Sequence, residues 1–208
     1  MENFMNLDLL LEQVRSTSLL EWIAVTFGVS EVLLAKRNKV WLYPTGIISI
    51  CCGAIVLIQA KLYAETILNA YYLGMSIYGW IKWKSRNQFG TPKITSSDSM
   101  DKVKTWGIVL IGWVVLYLFL INFTDSDVPI IDSLVSSTAW AGMWLLANRK
   151  VENWIWLNIS NAIAIPLLFY KGLFMFGLLT VFLFVIAVLG YFDWRKILKE
   201  ENNELQSV

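Results

Sequence analysis

The chain contains seven stretches of mostly apolar residues, each close to the length needed to cross a lipid bilayer. Of its 208 residues, 57% are hydrophobic and 16% are charged, whereas soluble domains contain about 45–50% apolar and about 25% charged residues. A helix of about 20 apolar residues spans about 30 Å of hydrocarbon. The sequence therefore predicts an all-α integral membrane protein with seven transmembrane helices. The predicted spans are residues 19–35, 41–59, 64–83, 105–123, 129–147, 151–170 and 173–194.

Lysine and arginine are distributed unequally between the two sides of the predicted membrane. Only three of the 17 basic residues, Arg15, Lys61 and Lys171, lie on the side of the amino terminus. Loops rich in lysine and arginine remain in the cytoplasm. We therefore expect the amino terminus to be outside and the carboxyl terminus to be cytoplasmic.

Two regions of the sequence resemble each other at a constant offset, which aligns Gly79 with Gly190. The third span ends in GWIKWK at residues 79–84, and the seventh ends in GYFDWR at residues 190–195. The approach to the second span, at residues 36–41, also resembles the approach to the sixth, at residues 149–154, with an offset that is two residues larger. Spans one to three therefore look like a duplicate of spans five to seven, although aromatic residues also collect at membrane interfaces without any duplication.

A duplication of three spans has a geometric consequence. Three spans reverse the direction of the chain and one linking span restores it, so the two copies would be parallel in a 3+1+3 arrangement. Parallel repeats occur in transporters that bind substrate near the middle of the bilayer. The predicted parts of this single transmembrane domain are repeat one at 19–83, a flexible cytoplasmic linker at 84–104, a linking helix at 105–123, repeat two at 129–194 and a tail at 195–208.

The segment before the first span has an apolar pattern of its own. Phe4, Leu7, Leu11 and Val14 follow helical spacing. This pattern predicts either a short helix on the membrane surface or a frayed end.

The residue types that the chain lacks exclude most enzymatic chemistry. It contains no histidine, which excludes a serine–histidine nucleophile, a histidine-ligated metal and a histidine proton relay. Cys51 and Cys52 are adjacent within an apolar stretch, so they neither complete a zinc site nor favour a disulfide. The net charge of +1 provides no basic field for a nucleic acid. We expect no catalytic residue, no metal, no cofactor and no nucleic-acid partner.

Ionisable residues within membrane spans are costly and usually functional. Three acidic residues lie near span ends: Glu31 near the inner end of span one, and Glu65 and Asp132 near the outer ends of spans three and five. Each can reach an interface by snorkelling. The absence of a carboxylate chain at mid-depth favours the passage of a neutral or cationic solute without ion coupling.

Polar and aromatic side chains form stripes on three of the predicted spans. Residues three, four or seven apart share a helix face. A tryptophan face attracts a cation by about 0.5–2 kcal/mol, and amides pair with hydroxyls or carboxamides. The candidate substrate-binding residues are Asn69, Tyr72 and Ser76 on span three, Trp140 and Trp144 on span five, and Trp154, Asn158 and Asn161 on span six.

Each stripe also has a structural interpretation. Trp154 lies near the cytoplasmic interface, where tryptophan forms aromatic belts. Asparagine and serine often join membrane helices, at typically under about 1 kcal/mol per hydrogen bond. Trp140 is compatible with facing lipid, whereas Trp144 has small residues on the adjacent turn that permit close approach.

Residues 69–72 and 76–83 together resemble the third-span signature of the PnuC vitamin transporters. Residues 152–154, Asn161, and the segment from 165 to 173 resemble the sixth-span signature of that family. The resemblance extends over about residues 20–196. It implies a SWEET-like arrangement, often as a homotrimer in a bacterial inner membrane. It also implies facilitated uptake of nicotinamide riboside, which cytoplasmic phosphorylation then traps.

The resemblance also bears on the substrate. Trp154 and Asn161 fall on positions that the family uses for substrate, and Asn69 falls where a glutamine or asparagine commonly lies. The family has a second tryptophan where this chain has Leu157, and Trp156 lies beside that position instead. Some relatives carry thiamine, which is an aromatic cation like nicotinamide riboside, so thiamine or another vitamin precursor is the alternative substrate.

Two other classes of function compete with transport. A membrane-embedded enzyme acting on lipid would need a base, a nucleophile or a metal at depth, and the sequence provides none there. A non-transporting membrane scaffold would not need polar stripes on three helices.

Overall fold

A computed structural model describes residues 18–59, 63–86, 93–171 and 174–206 of the chain, and these residues form seven α-helices. Each predicted span corresponds to one helix. Three helical segments of the described residues are long and apolar enough to cross a membrane, namely Ser99–Phe123, Pro129–Ala147 and Phe176–Glu201. The helices are α1 (Leu19–Lys36), α2 (Leu42–Gln59), α3 (Tyr63–Arg86), α4 (Ser99–Phe123), α5 (Pro129–Ala147), α6 (Asn153–Tyr170) and α7 (Phe174–Gln206).

Capping residues account for where several helices begin. Ser18 and Glu21 form a capping box at the start of α1, and Asp98 and Asp101 form another at the start of α4. In both, side chains bind backbone N–H groups that the first helical turn leaves unpaired. Pro129 occupies the first turn of α5, where its missing N–H has no cost.

The predicted linker at 84–104 is longer than the observed one. Helix α3 continues to Arg86 and α4 already begins at Ser99. Between them, Thr95 pairs with the α5–α6 turn, where its N–H donates to Arg149 O (3.1 Å) and its carbonyl accepts from Val151 N (3.0 Å). The described part of this segment is therefore docked on the helices. The predicted amino-terminal surface helix lies outside the described residues.

Six of the helices pack in a closed ring. Helix α2 packs between α1 and α3, and α6 packs between α5 and α7. The two groups meet twice, through α1 against α7 and through α3 against α5. Helix α4 packs on α5 from outside the ring. We call α1–α3 the first half and α5–α7 the second half.

The turns α1–α2 and α5–α6 share one backbone conformation. Asn38 and Arg149, which correspond at the sequence offset of Gly79 and Gly190, both have φ of 54°. Their N–H groups donate to Ala35 O and Leu146 O, each at 2.9 Å. A left-handed residue at this position ends a helix and satisfies its last carbonyl groups. The offset found in the sequence therefore recurs in the backbone.

Candidate functional site

Four aromatic side chains cross the interior of the ring at one end, and we call them the aromatic layer: Tyr43, Trp83, Trp154 and Trp194. Tyr43 meets Trp83 edge-on at 5.2 Å between ring centroids, and Trp154 meets Trp194 edge-on at 5.7 Å. The rings of Trp83 and Trp194 lie 6.4 Å apart. All four side chains are at most 3% exposed. The layer therefore closes this end of the ring.

Two glycines make room for the layer. A Cβ atom at Gly79 would overlap the ring and hydroxyl of Tyr43, and one at Gly190 would lie 2.8–2.9 Å from the indole of Trp154. Both positions are too close for a real Cβ atom. The glycine–aromatic–tryptophan pattern of the two span endings therefore has a packing role in both halves.

The layer also joins the two halves by hydrogen bonds. The indole of Trp83 donates to Ala147 O on α5 (3.2 Å), and the indole of Trp194 donates to Ala35 O on α1 (3.0 Å). Both bonds are buried, and each crosses one of the two contacts between the halves. Buried hydrogen bonds between membrane helices contribute about 0.6 kcal/mol on average and up to about 1.7.

A cation already lies against this layer. The guanidinium carbon of Arg149 lies 3.7 Å from the centroid of the Trp83 ring. Arg149 is 7% exposed. Because tryptophan faces attract cations, this contact establishes that one face of the layer is suited to positive charge.

Three buried polar atoms near the layer have no hydrogen-bond partner among the described residues. They are the hydroxyl oxygens of Tyr43 and Ser76 and the indole nitrogen of Trp154. Ser76 is 1% exposed and lies one helical turn before Gly79 on α3. A buried unpaired polar group costs about 1–3 kcal/mol. Such atoms are what a polar ligand would satisfy.

The other candidates on α3 lie further from the layer. The Asn69 amide donates to Ile50 O on α2 at 3.4 Å, which is a long hydrogen bond. Tyr72 is partly buried, and its ring lies edge-on to Tyr71 at 6.1 Å. Ser76, Tyr72 and Asn69 are thus successive positions along one helix.

The candidates on α6 divide into two environments. In the amide orientation that satisfies both of its polar atoms, Asn158 donates to Phe184 O (3.1 Å) and accepts from Val188 N (3.2 Å) on α7. Asn158 and Trp154 line an open surface groove of about 390 Å³ between α6 and α7, beside the exposed side chains of Ile155 and Phe192. Asn161 is partly exposed and makes no hydrogen bond with any described residue. Asn158 therefore joins two helices, whereas Asn161 is available.

Trp140 and Trp144 lie in a different place. They line a groove of about 520 Å³ that also includes Tyr71 of α3 and the α4 residues around Gly112. The Trp140 ring stacks on Tyr71 at 4.3 Å, and its indole nitrogen is buried without a partner in the described chain. Trp140 and Trp144 therefore line one groove, and Trp154 and Asn158 line the other.

The Glu31 side chain of α1 is half-buried and packs against α2. Its carboxyl group packs over Gly46 of α2, where an added Cβ would lie 2.5 Å from Oε1. It forms no hydrogen bond or ion pair with the residues that the structure describes. Asp132 differs, because it pairs with Lys171 at 2.8 Å. The side chain of Glu65 lies outside the described residues.

Sequence reasoning missed the part that Tyr43 and Tyr71 take in these contacts. Tyr43 lies near the start of a span, where a tyrosine is typical of an interfacial belt. The constant offset could have identified it, because it aligns Tyr43 with Trp154. Tyr71 precedes Tyr72 on a different helix face, so the stripe on α3 excluded it.

Known proteins resemble this chain over nearly its whole length. The family described as nicotinamide mononucleotide transporter matches residues 18–196. The nicotinamide riboside transporters PnuC of Escherichia coli (strain K12) and Shigella flexneri are each 22% identical over 217 residues, which cover 90% of this chain and 91% of theirs. A crystal structure of the vitamin B3 transporter PnuC has a TM-score of 0.71 and 21% identity, covering 95% of this chain and 89% of that one.

The match to the family confirms two expectations from the sequence. One is the resemblance to PnuC proteins. The other is that the chain is not an enzyme, because these relatives are transporters. The chain belongs to the nicotinamide mononucleotide transporter family, a family of membrane proteins that includes the PnuC transporters.

Proposed function

We propose that this protein carries nicotinamide riboside across a bacterial inner membrane, with thiamine or another vitamin precursor as the alternative substrate. The observation that carries the proposal is the set of buried, unpaired polar atoms beside the aromatic layer, inside a ring of six helices. Nicotinamide riboside is a flat aromatic cation with a carboxamide and hydroxyls. Aromatic faces and free polar atoms together suit such a molecule.

The proposed architecture is a 3+1+3 arrangement of two parallel repeats, with a SWEET-like relation between them. Its support is the constant sequence offset, which relates the two left-handed turns and the two glycines under the aromatic layer. The helix contacts follow the same relation, because the first helix of each half packs against the third helix of the other half. We place the amino terminus outside and the carboxyl terminus in the cytoplasm. The aromatic layer would then be the cytoplasmic closure of the pathway, and rocking of the halves would give alternating access.

The substrate-binding residues that we propose follow from these positions. Trp154 and Asn161 on α6 are the principal candidates, because one has an unpaired indole nitrogen and the other a free amide. Ser76, Tyr72 and Asn69 would line the opposite wall on α3. Asn158, Trp140 and Trp144 remain proposed contacts only for a conformation in which α6 or α5 has rotated relative to its neighbours.

The proposed transport is facilitated diffusion without ion coupling, and cytoplasmic phosphorylation traps the substrate. Asp132 is engaged with Lys171, so among the described residues no chain of free carboxylates links the two sides of the membrane. The proposed assembly is a homotrimer. The proposals of trapping by phosphorylation and of a homotrimer extend the family resemblance to this chain.

Binding by the purified protein tests the proposal. We expect nicotinamide riboside to bind more tightly than thiamine when both are titrated under the same conditions. Trp154→Ala and Asn161→Ala should each weaken binding while the protein stays folded. Asn122→Ala is the matched control, because Asn122 is exposed and donates only to Leu118 O of its own helix. A wild-type protein that binds neither compound would favour a scaffold.

A further inference from the structure

The two halves fill the same position of their first helix pair with different side chains. In the first half, Glu31 of α1 packs over Gly46 of α2. In the second half, Leu157 of α6 packs over Gly142 of α5, where an added Cβ would lie 2.7 Å from Leu157 Cγ. The constant sequence offset pairs Glu31 with Gly142 and Gly46 with Leu157. Large and small residues are therefore exchanged between the two helices.

Comparison with the second half distinguishes a packing role of Glu31 from a functional one. Leu157 demonstrates that an apolar side chain fills the space between these helices adequately. The carboxyl group of Glu31 is half-buried in the same place and has no hydrogen bond or ion pair among the described residues, and a partly desolvated carboxylate without a partner is costly. Ionisable residues within membrane helices usually mark a substrate or ion pathway. Helix packing therefore does not explain why the first half has a carboxyl group here.

The surroundings of Glu31 are those of a site for a cation. It lies one turn before Ala35, whose carbonyl accepts the indole of Trp194, so it is adjacent to the aromatic layer. The unpaired hydroxyl of Tyr43 belongs to the residue one turn before Gly46 on α2, and Gly46 is the residue over which Glu31 packs. The unpaired hydroxyl of Ser76 lies at the same level of α3, because Tyr43 packs against Gly79.

The nearby cations are engaged elsewhere. Lys36, on the next turn of α1, pairs with Asp193 of α7 at 3.4 Å. Arg149 lies over the Trp83 ring. Neither Lys36 nor Arg149 therefore forms an ion pair with Glu31.

We propose that Glu31 is the counter-ion that receives the positively charged ring of the substrate. The proposal rests on the proposed transport of a cationic nicotinamide or thiamine compound. The ring lies against the aromatic layer, and the Glu31 carboxylate balances its charge within the membrane. The hydroxyls of Tyr43 and Ser76 donate to the carboxylate or to the polar groups of the substrate. Glu31 thus selects for charge, and the amides on α3 and α6 select for shape.

A pair of ligands that differ in charge tests this role. Nicotinamide riboside has a cationic ring, and its dihydro form has nearly the same shape but a neutral ring. For the wild type and Glu31→Gln, both ligands are titrated into purified protein. We expect Glu31→Gln to weaken binding of nicotinamide riboside about tenfold or more, since a buried charged interaction is lost, and to change binding of the dihydro form less than about threefold.

Glu200→Gln is the matched control for charge. It also removes one carboxylate, but the Glu200 side chain is 61% exposed and, among the described residues, pairs only with Lys196 of its own helix, so neither affinity should change. If Glu31→Gln does not fold, the double variant Glu31→Gly, Gly46→Leu provides the same comparison, because it copies the packing of Gly142 and Leu157.

The outcomes separate the two levels of the proposal. Selective loss of the cationic ligand supports the counter-ion role. Unchanged affinity for nicotinamide riboside, or an equal loss for both ligands, overturns that role and leaves the transport proposal standing. A wild-type protein that binds neither ligand overturns the proposed function itself.

Discussion

The two halves of the ring have the same backbone plan but use it differently. Both have a left-handed turn after the first helix, a glycine under an aromatic ring, and a tryptophan that donates to the other half. They differ where the first half has Glu31 and the second has Leu157. The common features are those that hold the ring together, and the difference falls where packing alone would allow either residue. The symmetric part is therefore structural, and the asymmetric part is where specificity can reside.

The largest expected loss of stability comes from changing only one residue of the Glu31–Gly46 pair. Gly46→Leu alone should fold poorly, because the Glu31 carboxyl group lies 2.5 Å from the position of its Cβ and the remaining carbons of leucine need the space that the Glu31 side chain fills. Overpacking costs about 1–3 kcal/mol and occasionally more. The double variant Glu31→Gly, Gly46→Leu should recover most of the loss, since it copies the second half. Thermal unfolding in detergent measures both, and additive losses would contradict the comparison.

The glycines under the aromatic layer should be nearly as sensitive. Gly79→Ala should lower stability by about 1–3 kcal/mol, and Gly190→Ala by somewhat less, because its clash with Trp154 is milder. Gly74→Ala is the control on the same helix as Gly79, since an added Cβ there meets nothing within 4 Å. Equal melting temperatures for Gly79→Ala and Gly74→Ala would show that the layer is not tightly packed.

The two tryptophan bonds between the halves should have equal and smaller effects. Trp83→Phe and Trp194→Phe each remove one buried hydrogen bond, worth about 0.6–1.7 kcal/mol between membrane helices. Trp113→Phe is the control, because its indole joins α4 to Ile130 O at an exposed site. In thermal unfolding in detergent, Trp83→Phe and Trp194→Phe should both have lower melting temperatures than Trp113→Phe. A large difference between Trp83→Phe and Trp194→Phe would break the equivalence of the halves.

The smallest effect concerns the turns between the first and second helices of each half. Lys150 pairs with Asp101 of α4 at 2.7 Å, whereas its counterpart Lys39 is exposed and has no ion pair among the described residues. Lys150→Ala should lower stability by about 0.2–1 kcal/mol at low salt, and Lys39→Ala should not. Melting temperatures at low and high salt check this, because screening should remove the difference.

The sequence predicted the helices well, for a simple physical reason. A membrane requires long apolar stretches, and each of the seven predicted stretches coincides with a helix. Among the described residues, three helical segments are long and apolar enough to cross a membrane. The linker was less accurate. The capping box of Asp98 and Asp101 starts α4 at Ser99, but a serine- and proline-containing stretch resembles a flexible segment. Whether residues 93–98 dock depends on the hydrogen bonds that Thr95 makes with Arg149 and Val151 in the distant α5–α6 turn.

The candidate site was predicted less completely. Helical spacing identifies which residues share a face, but it does not specify which neighbour that face meets. Asn158 therefore bonds to α7, and Trp140 faces Tyr71 and α4, although both belong to sequence stripes. Glu31 was visible in the sequence, but its position over Gly46 depends on how α1 and α2 pack.

Uptake by liposomes containing only this protein tests the central claim most directly. The liposomes enclose ATP and a kinase that phosphorylates nicotinamide riboside, and a pH difference is imposed across their membrane. Accumulation of the labelled compound is followed with and without a protonophore, which removes that proton gradient. Our account predicts accumulation that requires the enclosed kinase and is unchanged by the protonophore. Uptake no greater than in protein-free liposomes, or uptake that stops when the proton gradient is removed, would contradict it.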